Sequence, residues 1–314
     1  MLYLNDAHVA GLLDPAGART VVLEALAELA DGAAATTTPP GILARRAEVT
    51  YHAKGAYLTG RGIAGFRLAG FPKGPAPAAR LQMLVLTEYA SSTPLAMIQS
   101  ESLHPLRVGA AIAVAVERLR ASGARTLVML GAGRLARASV EAIQATAPFT
   151  TVRVAASSLA SARRFCESTA AAGLVPAEDA ASAARDADVI VTLTNVDAPL
   201  VQPEWCRPGS LLVTAGARQE CAERAILQAD RIFVDDWAQC SAIGDIGVLV
   251  KNGRIGAGDV ESLAAVCAGR IAGRASDSTR LVAVPQGLAV LDLAIGQRVF
   301  ELARERGIGV TLPL

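Results

Sequence analysis

Residues 126–141 read TLVMLGAGRLARASVE: a short apolar run, a glycine-rich turn at 131–136 and a stretch with the pattern of a helix. In a dinucleotide-binding turn, the first glycine permits the tight passage from strand to helix, and the second lets a pyrophosphate approach bare backbone. These glycines are Gly131 and Gly133, and the small Ala136 allows helix and strand to pack closely. Backbone N–H groups and the positive end of the helix dipole would face the anion. The stretch therefore predicts a dinucleotide site, with an ordinary strand-to-helix turn as the alternative.

The overall composition argues against several classes of protein. The chain has 314 residues, 52% of them hydrophobic, which is enough to build two domains. A net charge of +1 gives no electrostatic reason to bind nucleic acid or an anionic membrane. The five cysteines lack paired spacing, as is typical of reduced thiols, and neither a signal peptide nor a membrane-spanning run is evident. We expect a cytoplasmic protein without nucleic-acid or membrane partners.

Apolar runs alternate with helical patterns after the glycine turn. Further strands are predicted at 151–156, 188–194, 210–215, 231–235 and 280–284, and helices at 158–172, 221–229 and 288–305. Continuous apolar strands that alternate with helices favour a parallel sheet covered on both faces. The sequence thus predicts an α/β fold, with a Rossmann-type doubly wound parallel sheet over residues 121–295.

The first 120 residues follow a different pattern. A helix is predicted at 14–31, strands at 45–54, 62–71 and 82–88, and a long helix at 102–121. The spacing of these strands indicates an antiparallel sheet rather than βαβ units. We predict a discontinuous α+β domain of residues 1–120, completed by roughly 296–314.

Charged side chains in this first region are candidates for a site. Strand alternation along 45–54 places five polar residues on one face: Arg46, Glu48, Thr50, His52 and Lys54. Such a face is either solvated or turned toward a ligand. Arg67, in the next predicted strand, could reach the same space.

Arg107 stands among small and apolar residues at the start of a predicted helix. An unpaired buried charge is costly, so the guanidinium needs a partner. That partner is either a substrate carboxylate, which its planar fork matches, or a structural carboxylate. His104 lies one turn earlier on the same face of the helix. It is either a proton donor or an ordinary residue at the start of a helix. The histidines show no metal-ligand spacing, so we predict no metal site.

The end of the second Rossmann strand usually distinguishes NAD from NADP. An acidic residue there holds the ribose hydroxyls, whereas its absence leaves room for a 2′-phosphate. Residues 156–158 read ASS, and Arg163 follows on the predicted helix, which favours NADP(H) with NAD(H) as the alternative. Arg163 is otherwise an exposed helix residue. The predicted cofactor-binding residues are Gly131, Gly133, Arg134, Leu135, Ala136, Ser157, Ser158, Arg163, Thr192 and Thr194.

Six stretches carry a resemblance to a known family: GFRLAGFP (65–72), TPLAMIQSESLHPLRVGAA (93–111), GAGRLARASVEAI (131–143), DADVIVTLTN (186–195), VDDWAQCSAIGDIG (234–247) and SDSTRLVAVPQGLAVLDLAI (276–295). With them the chain resembles the ornithine cyclodeaminase/μ-crystallin family of NAD(P)-dependent proteins over nearly its whole length. The resemblance implies a homodimer formed through the antiparallel domain, and hydride transfer between a nicotinamide and an imine or amine that bears a carboxylate. It also implies that Arg107, together with Arg46 or Arg45, binds that carboxylate.

The chain departs from the family at its catalytic lysine, which falls in a Gly-x-Lys motif where this sequence has Arg67. A guanidinium stays protonated, so it can orient and polarise a substrate but is not an ordinary general acid. Lys54 lies on the preceding predicted strand, and its ammonium would stand close to the missing one if the two strands pair. We hypothesise this exchange, because neighbouring positive charge makes an ammonium a better proton donor near neutrality.

A second departure concerns the loop after the 210–215 strand. Cyclodeaminating members of the family carry an aspartate there, whereas residues 216–219 read GARQ. This favours an NAD(P)H-dependent reductase of a carboxylate-bearing imine, such as the cyclic ketimine pyrroline-2-carboxylate, or an amino-acid dehydrogenase. Lys54 or His104 would supply the proton, and Arg67 would add positive potential. The alternatives are an ornithine-like amino-acid cyclodeaminase and a catalytically inactive nucleotide-binding protein.

Overall fold

The computed structural model describes residues 1–45, 48–72 and 80–313. The strands are β1 (Leu2–Leu4), β2 (Ala34–Thr36), β3 (Ile42–Arg45), β4 (Val49–Leu58), β5 (Ile63–Pro72), β6 (Gln82–Glu88), β7 (Pro94–Gln99), β8 (Thr126–Leu130), β9 (Thr151–Ala155), β10 (Leu174–Pro176), β11 (Val189–Thr192), β12 (Leu211–Thr214), β13 (Arg231–Val234), β14 (Glu261–Ser262), β15 (Leu281–Val284) and β16 (Val310–Thr311). The α-helices are α1 (Asp6–Val9), α2 (Pro15–Ala30), α3 (Leu103–Leu119), α4 (Arg134–Thr146), α5 (Leu159–Ser168), α6 (Ala180–Ala184), α7 (Glu223–Leu227), α8 (Trp237–Cys240), α9 (Gly244–Lys251), α10 (Leu263–Cys267) and α11 (Ala289–Glu305).

The chain divides into two compact units. The first contains Met1–Arg107 and the chain from Leu288 onward, and the second is Val108–Gly287. The boundaries therefore lie at Arg107 and Leu288, whereas the sequence places them near residues 120 and 296. The helix α3 starts in the first unit and continues in the second, and the whole of α11 belongs to the first.

The sheet of the first unit has the order β16-β1-β7-β6-β5-β4-β2, and β3 also pairs with β4. The strands from β4 to β7 are antiparallel, as the spacing predicts, whereas β1 runs parallel to β7. The helix α11 packs against β4, β5 and β6. A Cβ at Gly296 would lie 2.9 Å from Leu84 Cδ1, so helix and sheet approach closely at this glycine. The inner face of the sheet, which carries Leu58 and Leu84, is buried.

The sheet of the second unit is parallel, with the order β10-β9-β8-β11-β12-β15-β13-β14. The strand order reverses between β8 and β11, which in doubly wound folds is the switch point where ligands bind. Successive residues of one strand, such as Leu127 and Val128, belong to two separate hydrophobic cores, one on each face. This confirms the Rossmann-type doubly wound sheet. None of the described helices is long and apolar enough to cross a membrane.

Candidate functional site

Four charged side chains lie buried in the first unit and form what we call the charge cluster. They are Lys54 on β4, Arg67 on β5, Arg107 on α3 and Asp292 on α11, with exposed fractions of 7%, 4%, 5% and 5%. Lysine, arginine and aspartate are rarely buried to this extent unless they are paired or functional. The sequence predicted three of the four, and it missed Asp292.

Lys54 and Arg67 are direct partners across the β4–β5 ladder. Strand alternation places both on the inner face, because Lys54 shares its parity with buried Leu58 and Arg67 shares its parity with buried Ile63. The Cβ atoms of opposed residues are about 4.5–5.5 Å apart. The strand pairing that the exchange hypothesis requires is thus present, while the exchange of roles stays a hypothesis.

Asp292 holds the two arginines of the charge cluster. Arg107 Nε donates to Asp292 Oδ1 over 3.0 Å, and Arg67 Nε lies 3.9 Å from the same oxygen. Arg67 Nη2 donates to Gln82 Oε1 over 2.8 Å. Each guanidinium is therefore fixed along one edge, which orients its other N–H groups.

The electrostatics of the cluster fix its protonation states. Burial pushes the pKa of Asp292 upward, but attraction to Arg107, Arg67, His104 and Lys54 outweighs it and leaves the pKa below its ordinary value. Burial, followed by repulsion from Lys54 and Arg67, lowers the pKa of His52 to about 4. Near neutral pH, Asp292 is therefore ionised and His52 is neutral.

Two buried atoms of the cluster have no hydrogen-bond partner among the described residues. They are Arg67 Nε and Asp292 Oδ2. Arg107 makes a single side-chain hydrogen bond within the described chain, from Nε to Asp292. Buried polar atoms are almost always satisfied, so those left open indicate a place for a ligand.

The other predicted residues of this face lie as follows. Thr50 and His52 share the inner side of β4 with Lys54, whereas Glu48 is exposed in a bend before the strand begins. Arg45, at the end of β3, is exposed. Arg46 lies outside the described residues. His104 is half-buried on α3, one turn before Arg107.

The glycine turn of the second unit has the geometry of a nucleotide cradle. Gly131 has φ +114°, and a Cβ there would lie 2.2 Å from Leu193 O, so the fold itself requires glycine. Gly133 is the N-cap of α4, where no side chain caps the helix, and a Cβ there would meet nothing within 4 Å. The N–H groups of a first helical turn have no partner within the helix. Open backbone at the switch point therefore fits the pyrophosphate of a dinucleotide.

The residues predicted to distinguish NAD from NADP surround the end of β9. Ser157 is exposed, and Ser158 caps α5 by accepting a hydrogen bond from Ser161 N over 3.2 Å. Arg163 on α5 and Arg134 at the start of α4 are both exposed. No carboxylate occurs between the end of β9 and α5, and the polar side chains predicted to bind a 2′-phosphate there are the hydroxyl of Ser157 and the guanidiniums of Arg163 and Arg134.

The two predicted threonines bind a carboxylate of the protein, Glu220, which the sequence reasoning missed. Glu220 Oε1 accepts from Thr192 Oγ1 over 3.1 Å, and from both the hydroxyl and the backbone N–H of Thr194. Its Oε2 accepts from Gly216 N over 3.2 Å. Burial raises the pKa of Glu220, and these hydrogen bonds partly offset the rise. Thr192 is fully buried, so its predicted contact with the cofactor stays a prediction.

Asp245 on α9 extends this arrangement, which we call the carboxylate network. Its Oδ1 accepts from the backbone N–H groups of Glu220 and Cys221, each over 2.9 Å, and its Oδ2 accepts from Thr214 Oγ1. Burial also raises the pKa of Asp245. The network ties together the loops that follow β11 and β12. Among the described residues, including those of the network, no group of histidine, cysteine or acidic side chains has the arrangement of a metal site.

Comparison with known proteins places the chain in one family. A sequence model of the ornithine cyclodeaminase/mu-crystallin family matches residues 5–307. A Delta(1)-pyrroline-2-carboxylate reductase of Bacillus cereus is 31% identical over 237 residues, which are 72% of each chain. An alanine dehydrogenase of Archaeoglobus fulgidus is 30% identical over 238 residues, 73% of this chain and 72% of that one. The structure of an archaeal alanine dehydrogenase dimer with bound NAD superposes with a TM-score of 0.90 at 27% identity, covering 100% of this chain and 99% of the other.

Proposed function

This chain belongs to the ornithine cyclodeaminase/mu-crystallin family, and we propose that it is an NAD(P)H-dependent oxidoreductase that reduces a carboxylate-bearing imine or oxidises the corresponding amino acid. The observation that carries this proposal is Arg107, a buried guanidinium with one edge tied to Asp292. Its remaining edge, formed by Nη1 and Nη2, matches the two oxygens of a carboxylate. A cyclic ketimine such as pyrroline-2-carboxylate carries this group beside the reacting carbon.

In this reaction the protein binds the substrate and moves a proton. A nicotinamide cofactor, held by the open backbone of the glycine turn, would supply the hydride for reduction or accept it in oxidation. Reduction of the imine also requires one proton on its nitrogen, and Lys54 Nζ donates it, with His104 as the alternative donor. Arg67, opposite Lys54 on the ladder, adds positive potential. Arg107 fixes the carboxylate and thereby the orientation of the reacting bond.

Cyclodeamination is the less favoured reaction. The loop at 216–219 has no carboxylate, and the acid that follows it, Glu220, is fully buried. Both oxygens of Glu220 already accept hydrogen bonds from its own unit. Both oxygens of this buried carboxylate are thus engaged within the protein, which does not favour a role with an amine or a water molecule.

The second unit supports a preference for NADP(H), with NAD(H) also accepted. The backbone at Gly133 is open, and the end of β9 lacks the acidic residue that would hold the ribose hydroxyls of NAD. Ser157, Arg163 and Arg134 are exposed there and have the chemistry to bind a 2′-phosphate.

A homodimer formed through the first unit is part of the proposal. The outer face of its sheet exposes Ile42, Tyr51, Tyr57 and Phe66, and exposed apolar patches of this kind mark protein interfaces. The archaeal alanine dehydrogenase is itself described as a dimer. Light scattering after size exclusion should give twice the chain mass, whereas a monomer would contradict this part of the proposal.

A cofactor-oxidation assay tests the function. Purified protein is given NADPH or NADH with pyrroline-2-carboxylate, or with 2-oxo acids and ammonia, and we expect faster oxidation of NADPH. Arg107→Lys keeps the charge but loses the planar fork, so KM for the imine should rise about 10–100-fold, as expected for lost hydrogen bonds to a charged group.

Arg118→Lys, an exposed position on the same helix, is the matched control and should behave as the native protein does. Binding of the dinucleotide without turnover of any imine would instead support a catalytically inactive nucleotide-binding protein. Release of ammonia from ornithine would support cyclodeamination.

A further inference from the structure

We propose that Asp292 binds the nitrogen of the substrate and thereby selects imines over the 2-oxo acids from which they form. The inference rests on the proposed function, because it assigns a further substrate-binding residue to that same site. Its basis is the way in which Asp292 and Arg107 are joined, which leaves an acceptor open on the one and donors open on the other.

Asp292 and Arg107 are joined at one point only. Arg107 Nε donates to Asp292 Oδ1 over 3.0 Å. The other carboxylate oxygen, Oδ2, is buried and has no hydrogen-bond partner among the described residues. A structural pair of the same chain is built differently, since Arg231 donates from Nε and Nη2 to the two oxygens of Glu261. The single contact therefore leaves Asp292 Oδ2 as an acceptor beside the guanidinium.

The open groups match the two charges of an α-imino or α-amino acid. The nitrogen of such a substrate is attached to the carbon that carries the carboxylate, so the two groups are close neighbours. Arg107 Nη1 and Nη2 would take the carboxylate, as in the proposed function, and Asp292 Oδ2 would accept a hydrogen bond from the nitrogen. A guanidinium and a carboxylate that are tied together are thus complementary to a zwitterion.

Asp292 is an acceptor without a proton of its own. Burial raises its pKa, but attraction to the neighbouring cations, led by Arg107 and Arg67, outweighs burial and leaves the pKa below its ordinary value. The group is therefore ionised near neutral pH, and an ionised carboxylate only accepts hydrogen bonds. Once Lys54 has protonated the imine, the nitrogen has an N–H to donate. The carbonyl oxygen of a 2-oxo acid has none, and its lone pairs would face those of Oδ2.

Other acceptors near the cluster are either engaged or uncharged. Gln82 Oε1 accepts from Arg67 Nη2 over 2.8 Å, and the two oxygens of Glu101 accept from Arg80 over 2.9 and 2.6 Å. His52 is neutral near pH 7, so one of its ring nitrogens is an uncharged acceptor. A protonated nitrogen is stabilised more by a carboxylate than by a neutral acceptor, which favours Asp292.

The second open atom of the cluster, Arg67 Nε, provides the alternative. A water molecule that accepts from Arg67 Nε and donates to Asp292 Oδ2 would satisfy both atoms without touching the substrate. Asp292 would then be structural, and the site would not distinguish nitrogen from oxygen at this position.

Two planar ring acids of the same shape provide the test. Pyrrole-2-carboxylate has an N–H beside its carboxylate, whereas furan-2-carboxylate has an oxygen there. Calorimetric titration of the native protein in the presence of NADP⁺ should give a Kd at least about tenfold lower for the pyrrole acid, as expected for a hydrogen bond to a charged group. Equal affinities, or tighter binding of the furan acid, would overturn the proposal and support the bound water.

Asp292→Asn identifies the acceptor. Its amide can keep the oxygen toward Arg107 and then places an N–H opposite the pyrrole N–H, so the ratio of the two Kd values should fall to one or below. Glu305→Gln, at the exposed end of the same helix, is the control and should keep the native ratio. A native ratio in Asp292→Asn would overturn the proposal and leave His52 as the acceptor.

A measurement on the native protein covers the case in which Asp292→Asn does not fold. The N–H proton of ¹⁵N-labelled pyrrole-2-carboxylate should resonate downfield of its position in water when the acid is bound, because a carboxylate acceptor deshields it. A resonance that stays in place or moves upfield would overturn the proposal.

These measurements need no turnover, so they separate the role of Asp292 from the proposed function. Reduction of pyrroline-2-carboxylate without a preference for the pyrrole acid would leave the reductase intact and overturn the role of Asp292. The preference without turnover of any imine would support Asp292 as the nitrogen site and overturn the proposed function instead.

Discussion

The charge cluster and the carboxylate network both bury ionisable groups, but they satisfy them differently. In the network, each carboxylate oxygen of Glu220 and Asp245 accepts at least one hydrogen bond. In the cluster, Arg67 Nε and Asp292 Oδ2 have no partner among the described residues. The network is complete without a ligand, whereas the cluster is not.

This difference separates a structural polar core from a binding site. A satisfied network stabilises the loops that it joins, and nothing further needs to bind to it. A cluster with open buried hydrogen-bonding atoms gains stability from a ligand that satisfies them. Substitutions of the cations of the cluster should therefore affect turnover and ligand response. Substitutions in the network, and of the carboxylate of Asp292 that holds the arginines of the cluster, should affect stability.

The largest effect is expected for Lys54→Met. Loss of the proton donor should lower kcat about 10²–10⁴-fold. The fall in kcat at high pH that reports deprotonation of this donor should also disappear from the pH profile. The double variant Lys54→Arg with Arg67→Lys moves the lysine from β4 to the paired position on β5, and it should recover part of kcat. Steady-state kinetics across pH measure both.

Lys251→Met, at an exposed lysine of α9, controls for that substitution and should leave kcat unchanged. If Lys54→Met keeps the native kcat and pH profile while His104→Gln loses both, the proton comes from His104 instead.

Asp292→Asn should have the next largest effect. It leaves Arg107 and Arg67 without the carboxylate that they share, which should lower the free energy of unfolding by about 3–5 kcal/mol. Added acetate, a small carboxylate, should restore part of the loss. Urea denaturation measures both effects, with Glu305→Gln at the exposed end of the same helix as the control. A stability equal to that of the native protein would show that Asp292 is not needed to hold the arginines.

Glu220→Gln should lower the free energy of unfolding by about 1–3 kcal/mol, because an amide cannot accept from all the donors that surround it. Burial raises the pKa of Glu220 above its ordinary 4.5, so the folded protein binds a proton that the unfolded chain releases. Protonation of Glu220 therefore stabilises the folded protein, and this stabilisation grows as the pH falls through the raised pKa toward 4.5. The gap between the native protein and the variant should widen from pH 8 to pH 5 in urea denaturation. A gap that narrows would contradict the raised pKa, and Glu178→Gln, at an exposed position, is the control.

Thr192→Val should have the smallest effect, about 1 kcal/mol of stability, because it removes one of several donors to Glu220. Calorimetric titration with NADPH should give an unchanged Kd if Thr192 only supports the loop. A markedly weaker Kd with normal stability would establish the cofactor contact that the sequence predicted.

Local patterns were sufficient to predict much of this molecule. Continuous apolar strands predicted the parallel sheet, and the glycine spacing predicted the cradle at Gly131 and Gly133. Arg107 was predicted because a charge among small apolar residues needs a partner. Its partner was not, because Asp292 lies far along the chain and reaches Arg107 only when α11 packs on the first sheet.

Other features depend on tertiary pairing. Pro94–Gln99 forms the strand β7, which the sequence did not predict, because its apolar residues directly precede a long helix and the strand is stabilised by β1 and β6 on either side. Glu220 went unnoticed for a similar reason. Its role comes from donors on two separate loops, and no local pattern shows that they converge.

The β4–β5 register has a consequence for how related enzymes are compared. Two side chains on one rung of an antiparallel ladder are neighbours in space although a turn separates them in sequence. A functional group can therefore move to the adjacent strand and still lie beside the same neighbours. Column-by-column alignment records such a move as the loss of an essential residue. A search for active family members that requires the lysine at its usual position would exclude this chain. A search that also accepts a lysine at the paired position of the neighbouring strand would include it.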